Sequence, residues 1–236
     1  MDYIKYVKEI HFDSLIENGS IKIGTLNDYK ESEHGQMVTD QMEGVTRFSG
    51  LYENITPNTI KSNSVLSRLI GLDREEQVKT EDPAKAEKLP GVPRLNLKVT
   101  NYNVISPNYY IFSFSKIYSQ EDHQEWDDKQ GYNAAYSIVC PNTFFRKITK
   151  QLNSITPVKF LGLFEVHYYD ENRGMDFFDP LHHQPGFCLK GYDDFSSQKE
   201  VRAVWEPLKN IEISPLVLEV VNLGHCIELK TIIPID

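Results

Sequence analysis

The chain has 236 residues, a formal net charge of -9 from 25 Lys+Arg against 34 Asp+Glu, and 40% hydrophobic residues. That length suits one large domain with an insertion better than two ordinary domains. The hydrophobic content excludes a disordered chain, the acidic balance argues against a generic nucleic-acid binder, and no run reaches the ~18 apolar residues of a membrane helix.

The N-terminus, MDYIKYVKEIHFDSL, carries charges every few residues and no apolar signal region, which predicts a cytoplasmic protein. Residues 3–7 (YIKYV) read as a strand of β-formers. In HFDSLIENGS, Phe12, Leu15 and Ile16 fall at helical spacing and Asn18-Gly19 gives the stop. IKIG at 21–24 alternates as a strand. The polar stretch that follows reads as a loop with one helical turn. RFSGLYENI at 47–55 is a weak strand, and SNSVLSRLIGL is a short helix. The whole of 56–100, charged and proline-containing, reads as a surface insertion.

Order resumes at YYIFSFSK, 109–116. An acidic helix carrying Trp126 follows, then a buried strand in AAYSIVCP. NTFFRKITKQLNSI has Asn142 as N-cap and Phe145, Ile148 and Leu152 on one face. KFLGLFEVHYYDE, QKEVRAVWEP, LVLEVV and CIELKTII read as strands, and MDFFDPLHHQPGF as a loop or broken helix. Strands outnumber helices in an α+β order rather than an alternating βαβ one. Cys140, Cys188 and Cys226 lack close pairing, which fits buried free thiols in a reducing compartment.

Candidate chemistry gathers at four places. In the strand at 198–202, Gln198, Glu200 and Arg202 share one face while Val201 and Ala203 take the other. Such a row lines a cleft or forms a solvated edge. In YIFSFS, Ser113 and Ser115 share a face opposite Phe112 and Phe114. Thr25-Leu26-Asn27-Asp28-Tyr29 follows a strand as a turn. His182 and His183 are adjacent, and neighbours on extended chain point apart, so a shared metal ion is disfavoured; no zinc framework, P-loop or GxGxxG occurs. The basic-aromatic FFRKITK is either a nucleic-acid contact or an ordinary helix face.

In their order along the chain, YIKYV, ENGSIKIGTLNDYKESE, YIFSFSK with Trp126, YNAAYSIVCP and KGYDDFSSQKEVRAVW resemble the ADP-ribosyltransferase superfamily, near a set of bacterial and phage-related members. The resemblance implies an α+β fold with an ADP-ribosyltransferase-like split mixed/antiparallel β-sheet core and flanking helices. It implies one domain over 1–236 with the insertion at 56–100. Glu200 takes the catalytic place of the superfamily's late-strand glutamate, and Gln198 orients the acceptor. The resemblance further implies NAD as the substrate, contacted by Lys5, Tyr6, Thr25, Asn27, Tyr29, Ser113, Ser115 and Arg202. Lys5 stands where the family usually has Arg or His.

The implied activity is a mono-ADP-ribosyltransferase that cleaves NAD and modifies a macromolecular acceptor, protein or nucleic acid. A toxin or phage-defence role with an antitoxin partner follows by family analogy alone. The alternatives are an NAD glycohydrolase and a binding module that kept the fold without catalysis. A metal-dependent hydrolase using His182 and His183 is the weakest.

Overall fold

The computed structural model describes residues 3–30, 42–69, 95–170, 172–191 and 199–234. In chain order its elements are β1 (Ile4–Val7), α1 (Glu9–Asn18), β2 (Ser20–Thr25), β3 (Val45–Ile55), α2 (Pro57–Ser62), α3 (Ser64–Leu69), β4 (Leu95–Ile105), β5 (Tyr110–Ser115), α4 (Gln120–Gln130), β6 (Ala134–Ile138), α5 (Pro141–Ile155), β7 (Val158–Glu165), β8 (His167–Tyr169), β9 (Leu189–Gly191), β10 (Glu200–Pro207), β11 (Leu216–Glu219) and β12 (Ile227–Ile232). Helices and largely antiparallel strands make this an α+β protein. Among the described residues, no helix is long and apolar enough to cross a membrane.

The chain divides into two compact units, Met1–Val45 with Ile105–Tyr169 and Pro185–Asp236, and Thr46–Val104 with Asp170–Gln184. The sequence suggested one domain with an insertion at 56–100. The described residues of that stretch, 56–69 and 95–100, fall in the second unit together with residues 46–55, 101–104 and Asp170–Gln184. The chain first enters the second unit within β3 and leaves it within β4, where composition does not change; it enters again after β8 and leaves before Pro185-Gly186. β4 starts inside the expected insertion; its alternation in LNLKVTNYNVI is a strand signal that the charged residues before it obscured.

Within the second unit β3 pairs with β4. Phe48, Tyr52 and Phe177 form a buried aromatic group. The Tyr52 hydroxyl accepts the Phe177 N–H at 3.0 Å. Asn63 caps α3 by accepting the N–H groups of Val65 and Leu66, and donates its amide to Phe177 O at 2.6 Å.

The first unit is built on an eight-stranded sheet. β7 pairs with β10, and β10 with β5, all antiparallel. On its other edge β5 meets two strands. β2 pairs with it at Tyr110 and Ile111, and β1 at Ser115. Among the described residues, Phe112, Ser113 and Phe114 face no strand on that edge, so the sheet splits there. β11 continues from β2, while β6 and β12 continue from β1.

Period-two alternation sorts β5 and β10. Phe112, Phe114, Val201, Ala203 and Trp205 turn to one face. There they pack with Phe144, Phe145, Ile148 and Leu152, the apolar stripe of α5. The N-cap of α5 is Cys140 rather than the expected Asn142, because Pro141 occupies the first turn with its φ already fixed. That cap leaves Cys140 exposed, whereas Cys188 and Cys226 are buried as expected. On β7, Gly162 has φ +134° beside a bulge opposite Val204 and Trp205.

α1 ends at Gly19, whose φ of +67° is left-handed and whose N–H donates to Leu15 O. A Cβ there would collide with the Val220 carbonyl, and Val220 N–H donates to Gly19 O at 3.0 Å. Gly19→Ala is therefore expected to cost more than about 1 kcal/mol, from both the backbone conformation and the clash. A urea unfolding midpoint that stays unchanged would contradict this.

Candidate functional site

The polar faces of β5 and β10 meet. Glu200 lies opposite Ser115, and Arg202 opposite Ser113. The serines are small, so open space stands above the β10 pair. Glu200 Oε1 accepts from Arg202 Nε at 2.7 Å, and its Oε2 accepts from Lys190 Nζ on β9 at 3.1 Å. Arg202 also grips the Glu43 carboxylate with both terminal nitrogens, at 2.6 and 2.8 Å, and donates to Phe187 O at 2.7 Å. Glu43 is 0% exposed, Arg202 1%, Lys190 5% and Glu200 7%.

Burial by itself would raise the Glu200 carboxyl, but Arg202 and then Lys190 hold it well below the usual carboxylate range. Burial likewise opposes charge on Arg202, yet Glu200 and Glu43 keep it firmly protonated. Glu200 is thus an anion at neutral pH, held in one orientation. That suits it to meet positive charge or to accept a hydroxyl hydrogen, and unsuits it to act as a base near neutral pH.

Lys5 on β1 reaches into the split. Its ammonium donates to Ser113 O at 2.6 Å, supplying a partner to a carbonyl that lacks a strand neighbour on that edge. Burial lowers Lys5 to about 8, with Glu200 partly offsetting that and Lys22 adding to it. The Tyr29 hydroxyl is pushed up, first by burial and then by Glu200. Ser113 Oγ lies near both Tyr29 and Glu200 and lowers each, without a well-aligned hydrogen bond to either.

Lys5, Tyr29, Ser113, Lys190, Glu200 and Arg202 line a pocket of about 540 Å³, within the range of small-molecule sites. Trp126 and Tyr132 form a further wall; their rings stack at 5.5 Å and 4°. The lining holds five cations (Lys5, Lys8, Lys22, Lys190 and Arg202) against Asp28 and Glu200. In a chain of net charge -9, this is a local concentration of positive charge that favours an anionic ligand.

Of the residues named from sequence, Lys5, Tyr6, Tyr29, Ser113, Ser115, Glu200 and Arg202 all line this pocket. Thr25 and Asn27 do not. Thr25 Oγ1 accepts the Asp28 N–H, and Asn27 bonds to Asn108 and Lys30, so both shape the turn that carries Tyr29. Gln198 lies outside the described residues. Sequence reasoning missed Glu43, which comes from a segment 159 residues from Arg202, and Lys190, which lies only ten residues before Glu200 but on a separate strand, β9. The pairing of Trp126 with Tyr132 was also missed. His182 and His183 do not point apart: a single helical turn at Pro180–His183 brings their rings to 3.5 Å. Among the described residues, no group of three or more His, Cys, Asp and Glu side chains is placed to hold a metal ion.

Binding of pyrophosphate to this pocket is expected to weaken as pH rises through about 8, where Lys5 loses its proton. Lys5→Arg should remove that step, since a guanidinium stays charged. Calorimetric titration at several pH values checks this, and a pH-independent wild type would refute it.

No family model matches the chain, and no curated protein or solved structure gives a significant match.

Proposed function

We propose that the chain is an NAD-consuming mono-ADP-ribosyltransferase acting on a macromolecular acceptor. The observation that carries the reading is Glu200, a fixed anion at the edge of an electropositive pocket beside the split in the sheet. Cleavage breaks the bond between nicotinamide nitrogen and the ribose anomeric carbon. Nicotinamide leaves as a neutral molecule, and the sugar carries the positive charge. A carboxylate positioned before the reaction stabilises that charge with no reorganisation at the moment it develops. Lys5 and Lys22 provide complementary charge for the pyrophosphate, and the Tyr29 and Trp126–Tyr132 rings offer apolar faces for nicotinamide or adenine. The acceptor nucleophile then attacks the anomeric carbon and releases its proton to solvent.

The test incubates the purified protein with NAD labelled in its adenylate half, with and without a cell lysate. Release of nicotinamide with label entering protein or RNA supports the transferase. Release with all label in free ADP-ribose supports the glycohydrolase instead. Folded protein that binds NAD without releasing nicotinamide marks a binding module.

A further inference from the structure

Residues 133–164 contain no Asp or Glu but hold Arg146, Lys147, Lys150 and Lys159, a block of four positive charges in a chain of net -9. α5 and β7 make up most of this block. Between them runs a groove of about 470 Å³. Phe145, Phe160 and Leu163 form its floor, and Arg146 and Lys150 stand on its rim beside the amides of Asn142 and Asn153. β7 pairs only with β10 among the described residues, so the sheet ends here and leaves Phe160 and Leu163 only partly covered. Lys147 is engaged elsewhere, donating to the carbonyls of Val221 and Asn222. Arg146, Lys150 and Lys159 form no ion pair among the described residues.

We propose that the α5–β7 groove docks an acidic segment of a partner protein, which sets apolar side chains on Phe160 and Leu163 and carboxylates against Arg146 and Lys150. Charge complementarity selects the occupant: cations with no ion pair among the described residues flank an apolar slot, and none of the residues lining it is acidic. A nucleic acid fits less well. Phe145 and Phe160 already stack on each other at 14°, so they form an apolar floor instead of a free platform for a base. The bulge at Leu161–Gly162 interrupts the regular ladder of β7. The segment therefore lies across the groove and does not extend the sheet as another strand. The floor belongs to the sheet face that α5 covers, opposite the Glu200 and Arg202 side chains. A segment bound there leaves the pocket open, and the inference does not depend on NAD chemistry.

The test is fluorescence anisotropy with the whole chain and a labelled short peptide that alternates Leu with Glu. Arg146→Glu with Lys150→Glu is expected to weaken binding at least about tenfold, Leu163→Ser to weaken it comparably, and Lys209→Glu to leave it unchanged. Thermal melts confirm that each variant is folded. Three results would each overturn the proposal. The peptide does not bind at about 1 mM, the weak end of specific association. A Ser/Glu peptide of equal charge binds as tightly, which reduces the effect to nonspecific attraction. A single-stranded oligouridine binds more tightly than the peptide and is weakened by the same charge reversals.

Discussion

Glu200→Gln is expected to lower nicotinamide release from NAD by about 100- to 1000-fold, the scale of removing one preorganised charge partner of a transition state. Glutamine keeps the volume of the side chain and can still accept a hydrogen bond from Arg202 or Lys190. Arg202 keeps its two bonds to Glu43 and its bond to Phe187 O. The anion is lost, however, and with it, in the proposed reaction, the stabilisation of a developing sugar cation. The loss should fall on kcat more than on KM, because the substrate ribose is neutral before the bond breaks. The Glu200 carboxyl sits well below the usual carboxylate range, so wild-type kcat should show no acid limb from this group near neutral pH. Chromatographic assay of nicotinamide at saturating NAD reads both effects. A Glu200→Gln protein with wild-type kcat would remove Glu200 from the chemistry.

Arg202→Met should be the most destabilising single change in the site. It strips the guanidinium from two carboxylates, Glu43 and Glu200, that are almost fully buried. Removing one partner from a buried ion pair costs about 3–5 kcal/mol. The pH dependence gives a second reading. In the wild type the folded-state carboxyl of Glu200 is lowered, so its contribution is present at neutral pH and fades as pH drops through the acid range. In Arg202→Met, only Lys190 is left to oppose the effect of burial on Glu200, so its carboxyl rises and folding takes up a proton. The variant should then recover part of its deficit between neutral and mildly acid pH, where the wild type gains nothing. Arg202→Lys restores charge but not the two-pronged grip on Glu43, so it should fall between them. Urea midpoints at two pH values decide the matter, and a deficit independent of pH would mean that packing rather than charge is at stake.

Much of the sheet is legible in the residues. In β5 and β10 the alternation assigned Phe112, Phe114, Val201 and Ala203 to one face and Ser113, Ser115, Glu200 and Arg202 to the other, as the structure has them. Side chains on a strand alternate whatever the strand pairs with, so this needs no tertiary information. The α5 stripe was legible for the same local reason. Its N-cap was misplaced because a helix start with proline in the first turn turns on one or two residues of chain geometry. The division into two units is not legible for a different reason: two of its boundaries lie inside β3 and β4, where composition does not change, and its second segment is far along the chain from the first.

The sequence by itself determined the α+β class, the polar rows on two strands and the turn that carries Tyr29, since each depends on residues close along the chain. Only the tertiary structure decided that these rows face each other, because strand register joins residues far apart in the chain, as in Glu200 opposite Ser115, 85 positions away. It also decided the split beside Ser113, the reach of Lys5 into it, and the arrival of Glu43 and Lys190 around Glu200 and Arg202. The overall charge of -9 left the sign of any binding surface open. Folding concentrates cations in the pocket and along the α5–β7 groove, because charge at a site is set by which side chains converge there and not by their sum.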